Sequence, residues 1–186
     1  LRVSPLDLSP IVRFDDAYVK SSPFVYGPGG SAYAYPVMYV GTDSGKVLAL
    51  NATNGNAVSG FGTDGVVEVV AGGRLTNLFV HNTVIYVGTD GNEVWKLSSD
   101  TGGSPAMVFD GAAAWCIVGG VAVDPSGSGG AGSLCFGSTD GSFNQRTLAG
   151  VELNAVYGNA PGASPNPSST PWETTPSIDA VNGWVV

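Results

Sequence analysis

Three aspartates return at nearly equal intervals in this 186-residue chain. Asp43, Asp90 and Asp140 lie 47 and 50 residues apart, each directly after a threonine. Carboxylates repeated at one position of a repeated unit would line one face as an acidic rim, and such a rim attracts cations or a basic partner. Turn chemistry is the simpler reading of the same residues, because Asp hydrogen-bonds its own backbone two residues on. No local cluster supplies the six or more oxygens that a calcium loop needs. His81 is the only histidine, so neither a metal site nor a nucleophile–base pair can be built around it. Asp15-Asp16 reads as a solvated turn. Trp95 and Trp184 fall inside strand-like runs and read as packing residues. Trp115 and Trp172 lie in connections and are the candidates for a carbohydrate platform. Asn51-Ala52-Thr53 fits the N-glycosylation acceptor pattern at a strand end, which matters for an exported protein, whereas Asn166 is excluded by Pro167. No catalytic, cofactor-binding or metal-binding residue is assigned.

The elements that position these residues are short and repeated. Val37-Met38-Tyr39-Val40-Gly41-Thr42-Asp43 returns as Val84-Ile85-Tyr86-Val87-Gly88-Thr89-Asp90, and again as Ser133-Leu134-Cys135-Phe136-Gly137-Ser138-Thr139-Asp140. A fourth copy starts at Asn182-Gly183-Trp184-Val185-Val186. The aromatics Phe61, Phe109 and Tyr157 stand 48 residues apart and read as rings that dock one repeat onto the next. A period of this length, built from strands and turns, predicts an all-β propeller of four-stranded blades.

The blades are expected at about residues 21–70, 71–110 and 111–158, with a partial one at 159–186. About three and a half repeats then make an incomplete ring. In the first blade the strands are Ser22–Tyr26, Val37–Thr42 and Lys46–Asn51, then either Ala57–Phe61 or Val66–Val70. The second holds Asn77–His81, Val84–Thr89, Glu93–Ser98 and Pro105–Phe109. The third holds Gly119–Asp124, Ser133–Gly137, Ser142–Leu148 and Val151–Tyr157. Residues 1–20 form a separate N-terminal segment. Its apolar stretch Pro5–Phe14 reads as a ring-closing strand, an edge strand or a tail.

Composition narrows the function classes. Lys plus Arg is 7 against 15 for Asp plus Glu, a net charge of −8, which repels phosphate backbones and argues against nucleic acid. No apolar run approaches the roughly 20 residues of a membrane span. Charged residues are only 12%, and a neutral surface rich in Ser, Thr, Asn and Gly suits an extracellular or cell-surface protein. The first residue, Leu1, suits a processed or excised chain. Two cysteines make no disulfide framework. Cys135 is expected to face a residue near Ala122, six positions from Cys116. That is about 20 Å of strand, beyond the roughly 7 Å between Cα atoms that a bridge allows. An asymmetric loop would bring the two together, so the disulfide stays open.

The segment Val37–Phe61 resembles the repeat of the quinoprotein-like, or PQQ-type, propellers, through Tyr39, Gly41, Thr42, Asp43, Gly45, Ala49, Leu50, Asn51, Gly55 and Phe61. The second repeat keeps Tyr86, Gly88, Thr89, Asp90, Leu97, Thr101, Gly102 and Phe109. Phe61–Val67 is also similar to a segment of PQQ-dependent dehydrogenases. The resemblance implies a docking Trp where Phe61, Phe109 and Tyr157 stand here. In the family's enzymes it implies PQQ against adjacent cysteines, and a calcium ion held by Glu and Asn; this chain has no adjacent cysteines. The expectation is a secreted, non-catalytic scaffold or interaction module that holds a protein partner or self-assembles, with no cofactor. The alternatives are a fragment of a PQQ-dependent dehydrogenase, with PQQ and calcium, or a periplasmic assembly-factor propeller.

Overall fold

A computed structural model of the chain describes residues 2–3, 10–12, 18–19, 21–27, 32–111, 119–137, 142–157, 176, 178–179 and 184–185. Regular structure among them is sixteen strands and one 3-10 turn, Ser128–Gly130. Strands β1 (Arg2–Val3) and β2 (Pro10–Val12) pair antiparallel with each other. The first blade is β3 (Phe24–Tyr26), β4 (Val37–Gly41), β5 (Lys46–Asn51) and β6 (Val66–Glu68). The second is β7 (Leu75–His81), β8 (Val84–Thr89), β9 (Glu93–Ser98) and β10 (Ala106–Asp110). The third is β11 (Ala122–Asp124), β12 (Ser133–Gly137), β13 (Ser142–Thr147) and β14 (Glu152–Tyr157). Each is a four-stranded antiparallel meander in sequence order. Strands β15 (Ile178–Asp179) and β16 (Trp184–Val185) form a further pair.

The repeat in sequence is a repeat in register. Gly41 lies opposite Val47, Gly88 opposite Val94, and Gly137 opposite Phe143. The hairpins close on local chemistry. Gly45 has φ +79°, and a Cβ there would stand 1.7 Å from the Val70 carbonyl oxygen, so a side chain is excluded. The equivalent place in the second blade is taken by Asn92 at φ 63°, the residue type that best tolerates this conformation after glycine.

Side-chain alternation explains why the central strands read as nearly continuous apolar runs. In the second blade Leu78, Val80, Ile85, Val87 and Leu97 join Val37, Tyr39, Val47 and Ala49 of the first blade in one core. Tyr86 and Val94, on the opposite face, join Val121, Val123, Leu134 and Phe136 of the third blade in another. A sheet covered on both faces has no polar face to show.

The outer strand of the first blade settles on the later of its two sequence candidates. The chain bridges Leu50 to Ala57, then leaves the sheet. It reverses through Asp64 at φ 53° and Gly65 at φ 79°, a hairpin turn of the primed type, and returns as β6. In the second blade no such excursion occurs, and β10 pairs directly with β9 from Ala106 on.

Candidate functional site

The hairpin end of the blades carries the repeated aspartates. The Asp90 backbone N–H donates to the Arg74 carbonyl at 3.0 Å, and the Arg74 N–H donates back to Asp90 Oδ1 at 2.8 Å. This two-bond clip ties the turn to the start of β7. Asp43 makes the first half of the same clip, its N–H donating to the Tyr18 carbonyl at 3.0 Å. The preceding threonines close the turns: Thr42 Oγ1 accepts from the Lys46 N–H at 3.0 Å, and Thr89 Oγ1 from the Gly91 N–H at 3.1 Å. Asp140 lies outside the described residues, as do Asp15, Asp16, Cys116, Trp115 and Trp172.

The other sequence candidates are also engaged locally. Asn51 Oδ1 accepts from the Thr53 N–H at 2.8 Å, so the acceptor pattern sits in a tight turn. His81 ends β7, and the Asn82 amide donates to its Nε2 at 2.9 Å. Trp95 packs against the first core and donates its indole N–H to Glu93 Oε2 at 2.7 Å. Cys135 is a free, fully buried thiol opposite Ala122, and burial pushes its pKa up to about 11.

The three equally spaced aromatics occupy three different structural positions. Phe61 lies in the excursion of the first blade, fully buried, 5.7 Å from the Tyr39 ring. It packs on the second blade at Gly102, where a Cβ would come within 3.3 Å of the ring and 2.2 Å of Val67. Phe109 lies in β10 opposite Val94, 5.0 Å from Phe136 of the third blade, with the Arg146 guanidinium 4.4 Å above its ring. Tyr157 ends β14 opposite Ser142; its side chain is outside the described set. By register, Phe109 matches Val67 of the first blade, since each faces the residue paired with the strand-end glycine, Val94 or Val47.

A grip between blades was not legible from residue types. The Tyr39 hydroxyl donates to the Ser99 carbonyl at 2.7 Å, the Tyr33 hydroxyl to the Asp100 carbonyl, and the Ala32 N–H to Asp100 Oδ1 at 3.0 Å. Burial raises the pKa of both tyrosines, which keeps them protonated donors. The density of tyrosines at 33, 35 and 39 was the available signal.

Among the described residues, two surface features stand out. Met107, Val151 and Leu153 on or beside the outer strands are exposed, Val151 by 63%. An open cleft of about 360 Å³ lies on the second blade, lined by Thr83, Tyr86, Lys96, Ser98, Thr101 and Ser104 among others.

Solved structures place this architecture. The chain matches the Swd1 (Cps50) β-propeller domain of Myceliophteria thermophila with TM-score 0.54 and 10% identity, over 77% of this chain and 44% of that one. The fold is that of a β-propeller. BamB from Moraxella catarrhalis matches with TM-score 0.59 and 16% identity, over 91% of this chain and 52% of that one. The computationally designed protein Ika4 matches with TM-score 0.54 and 13% identity, over 94% of this chain and 92% of that one. The chain thus spans about half the length of BamB and of the Swd1 propeller domain. No family model and no curated protein matches it.

The dehydrogenase alternative asks for a calcium and quinone site. Among the described residues no three His, Cys, Asp or Glu side chains converge into a metal-holding group, and the chain has no adjacent cysteines. No helix of the described propeller is long and apolar enough to cross a membrane.

Proposed function

We propose that the chain is a non-catalytic, PQQ-type propeller that serves as a scaffold or protein-interaction module outside the cell, at its surface or in the periplasm. The observation that supports this is the apolar rim where the second and third blades meet. Gly150 lies directly against the Val108 carbonyl, with Met107 and Val151 beside that contact and Leu153 further along β14. Exposed apolar side chains next in the chain to one inter-blade contact suit a protein partner or a second copy. The acidic net charge of −8 favours a basic partner and disfavours nucleic acid. Among the described residues, Asp43 and Asp90 sit in turns, His81 at a strand end and Cys135 in the core.

Sedimentation across a concentration range tests the self-association arm, with Met107→Lys plus Val151→Lys as the comparison. Association that the double variant abolishes is the expected result. A monomer at every concentration turns the reading to a foreign basic partner. A dye-linked dehydrogenase assay with PQQ and calcium tests the rest: substrate-dependent dye reduction would overturn the scaffold reading.

A further inference from the structure

Phe61 plugs the slot beside Tyr39 between the first and second blades, whereas a cleft opens beside the matching tyrosine of the second blade, Tyr86. Tyr39 and Tyr86 are equivalent, each two residues before the repeated glycine, Gly41 or Gly88. Tyr39 is fully buried, its hydroxyl on the Ser99 carbonyl and its ring against Phe61, which the excursion through Ser59–Gly65 inserts into the slot. The second blade lacks an excursion and runs from Gly103 into β10 at Ala106. Among the described residues no counterpart of Phe61 reaches Tyr86, which packs with Phe136 in the second core and lines the cleft of about 360 Å³.

The residue across the strand changes with it. Opposite Tyr39 stands Ala49; opposite Tyr86 stands Lys96. Direct cross-strand partners hold their Cβ atoms about 5 Å apart, so the ammonium and the phenol serve one space. Ser98 belongs to the same face, paired with Val84.

The hydrogen-bond inventory of the cleft is one-sided. Ser98 Oγ already accepts from the N–H groups of Asp100 and Thr101, at 3.2 and 3.3 Å, and Thr101 Oγ1 accepts from the Gly103 N–H at 3.1 Å. With lone pairs so used, each hydroxyl has its hydrogen left to give. Burial raises the pKa of Tyr86, so its hydroxyl is also a donor, and no partner for it is found among the described residues. Lys96 brings only donors and a positive charge, and no ion pair of Lys96 is found among those residues.

We propose that this cleft binds an oxyanion, the carboxylate or phosphate of a small ligand, with Lys96 as counter-charge and the hydroxyls of Tyr86, Ser98 and Thr101 as donors. Charge-assisted bonds to an oxyanion are the strong kind, and the ammonium supplies the discrimination against neutral solutes. The site does not depend on the scaffold reading.

The test is amide-resolved NMR titration of the whole chain with citrate, with inorganic phosphate, and with sodium chloride at matched ionic strength. Saturable shifts confined to the amides of Thr83, Lys96, Ser98, Thr101, Gly103 and Ser104 are expected with at least one of the first two. Which of them saturates distinguishes carboxylate from phosphate as the source. Lys96→Met should weaken binding about tenfold, equivalent to about 1.4 kcal/mol. Lys96→Arg should retain most of it, and Tyr86→Phe should lose a few-fold with the remaining spectrum unchanged. Shifts that sodium chloride reproduces, shifts that persist undiminished in Lys96→Met and Tyr86→Phe, or no saturable shift with either anion would overturn the proposal. If Lys96→Met fails to fold, Tyr86→Phe alone decides, since it removes one oxygen and keeps the buried ring in place.

Discussion

Replacing Phe61 by Ala removes the ring that plugs the slot between the first two blades. The side chain is fully buried, close enough to Gly102 of the second blade that a Cβ there would crowd it, and tilted 54° against Tyr39 at 5.7 Å. Burying a Phe contributes about 1.5–3 kcal/mol by area, and the cavity left behind brings a buried Phe→Ala to about 3–5 kcal/mol. The slot cannot collapse easily, because Val58 and Tyr39 around it are held by the Ala49 and Ser99 carbonyls. We therefore expect about 4 kcal/mol, a large share of a typical domain's 5–15 kcal/mol. Phe109→Ala should cost less, about 2 kcal/mol, since that ring is only partly buried and adds a cation–π contact with Arg146 of about 0.5–1 kcal/mol. Equilibrium urea unfolding measures both; at a slope of about 2 kcal/mol/M the midpoints should fall by roughly 2 M and 1 M. Equal spacing in sequence treats the two rings as interchangeable, whereas the structure does not. Equal losses, or a Phe61→Ala loss below about 1 kcal/mol, would refute the plugged-slot argument.

Tyr39→Phe deletes a buried hydroxyl and strands the Ser99 carbonyl, so urea unfolding should show a loss of about 1–2 kcal/mol. Asp90→Ala should cost about 1 kcal/mol by freeing the Arg74 N–H, while Asp90→Asn keeps an acceptor and should cost less; amide exchange at Arg74 reads the difference directly. The Cys135 thiol should resist alkylation in the folded protein and react only on unfolding. Its folded pKa of about 11 lies above the unfolded value near 8.5, so the neutral thiol's contribution is present below that value and fades as pH rises towards 11. Cys135→Ser should flatten that part of a stability-against-pH curve, and an unchanged curve would argue against the assignment.

Much of this propeller is local, and that is why so much was readable. Lys46–Asn51, Val84–Thr89, Glu93–Ser98 and Ser133–Gly137 begin and end where apolar runs and turn residues place them. A hairpin needs only its own two strands and a turn such as Asp43-Ser44-Gly45, all within a dozen or so residues. The facing of Cys135 by Ala122 followed in the same way from one loop.

The candidate site was not local in that sense. The outer strand of the first blade had two apolar candidates of equal local merit. The choice rests on the Ala49 N–H donating to the Gly65 carbonyl and on Phe61 finding a slot against the next blade. Asp90 looked like a self-contained turn residue, yet its carboxylate binds an N–H 16 residues earlier in the chain. The cleft beside Lys96 lies where the second blade, among the described residues, has no counterpart of the segment that carries Phe61, a difference that a repeat count smooths over. Strand positions and period follow from each residue's neighbours in sequence; which aromatic fills which slot, and which slot stays open, follows from packing between blades, where burial and unpaired polar groups are settled by residues far apart in the chain.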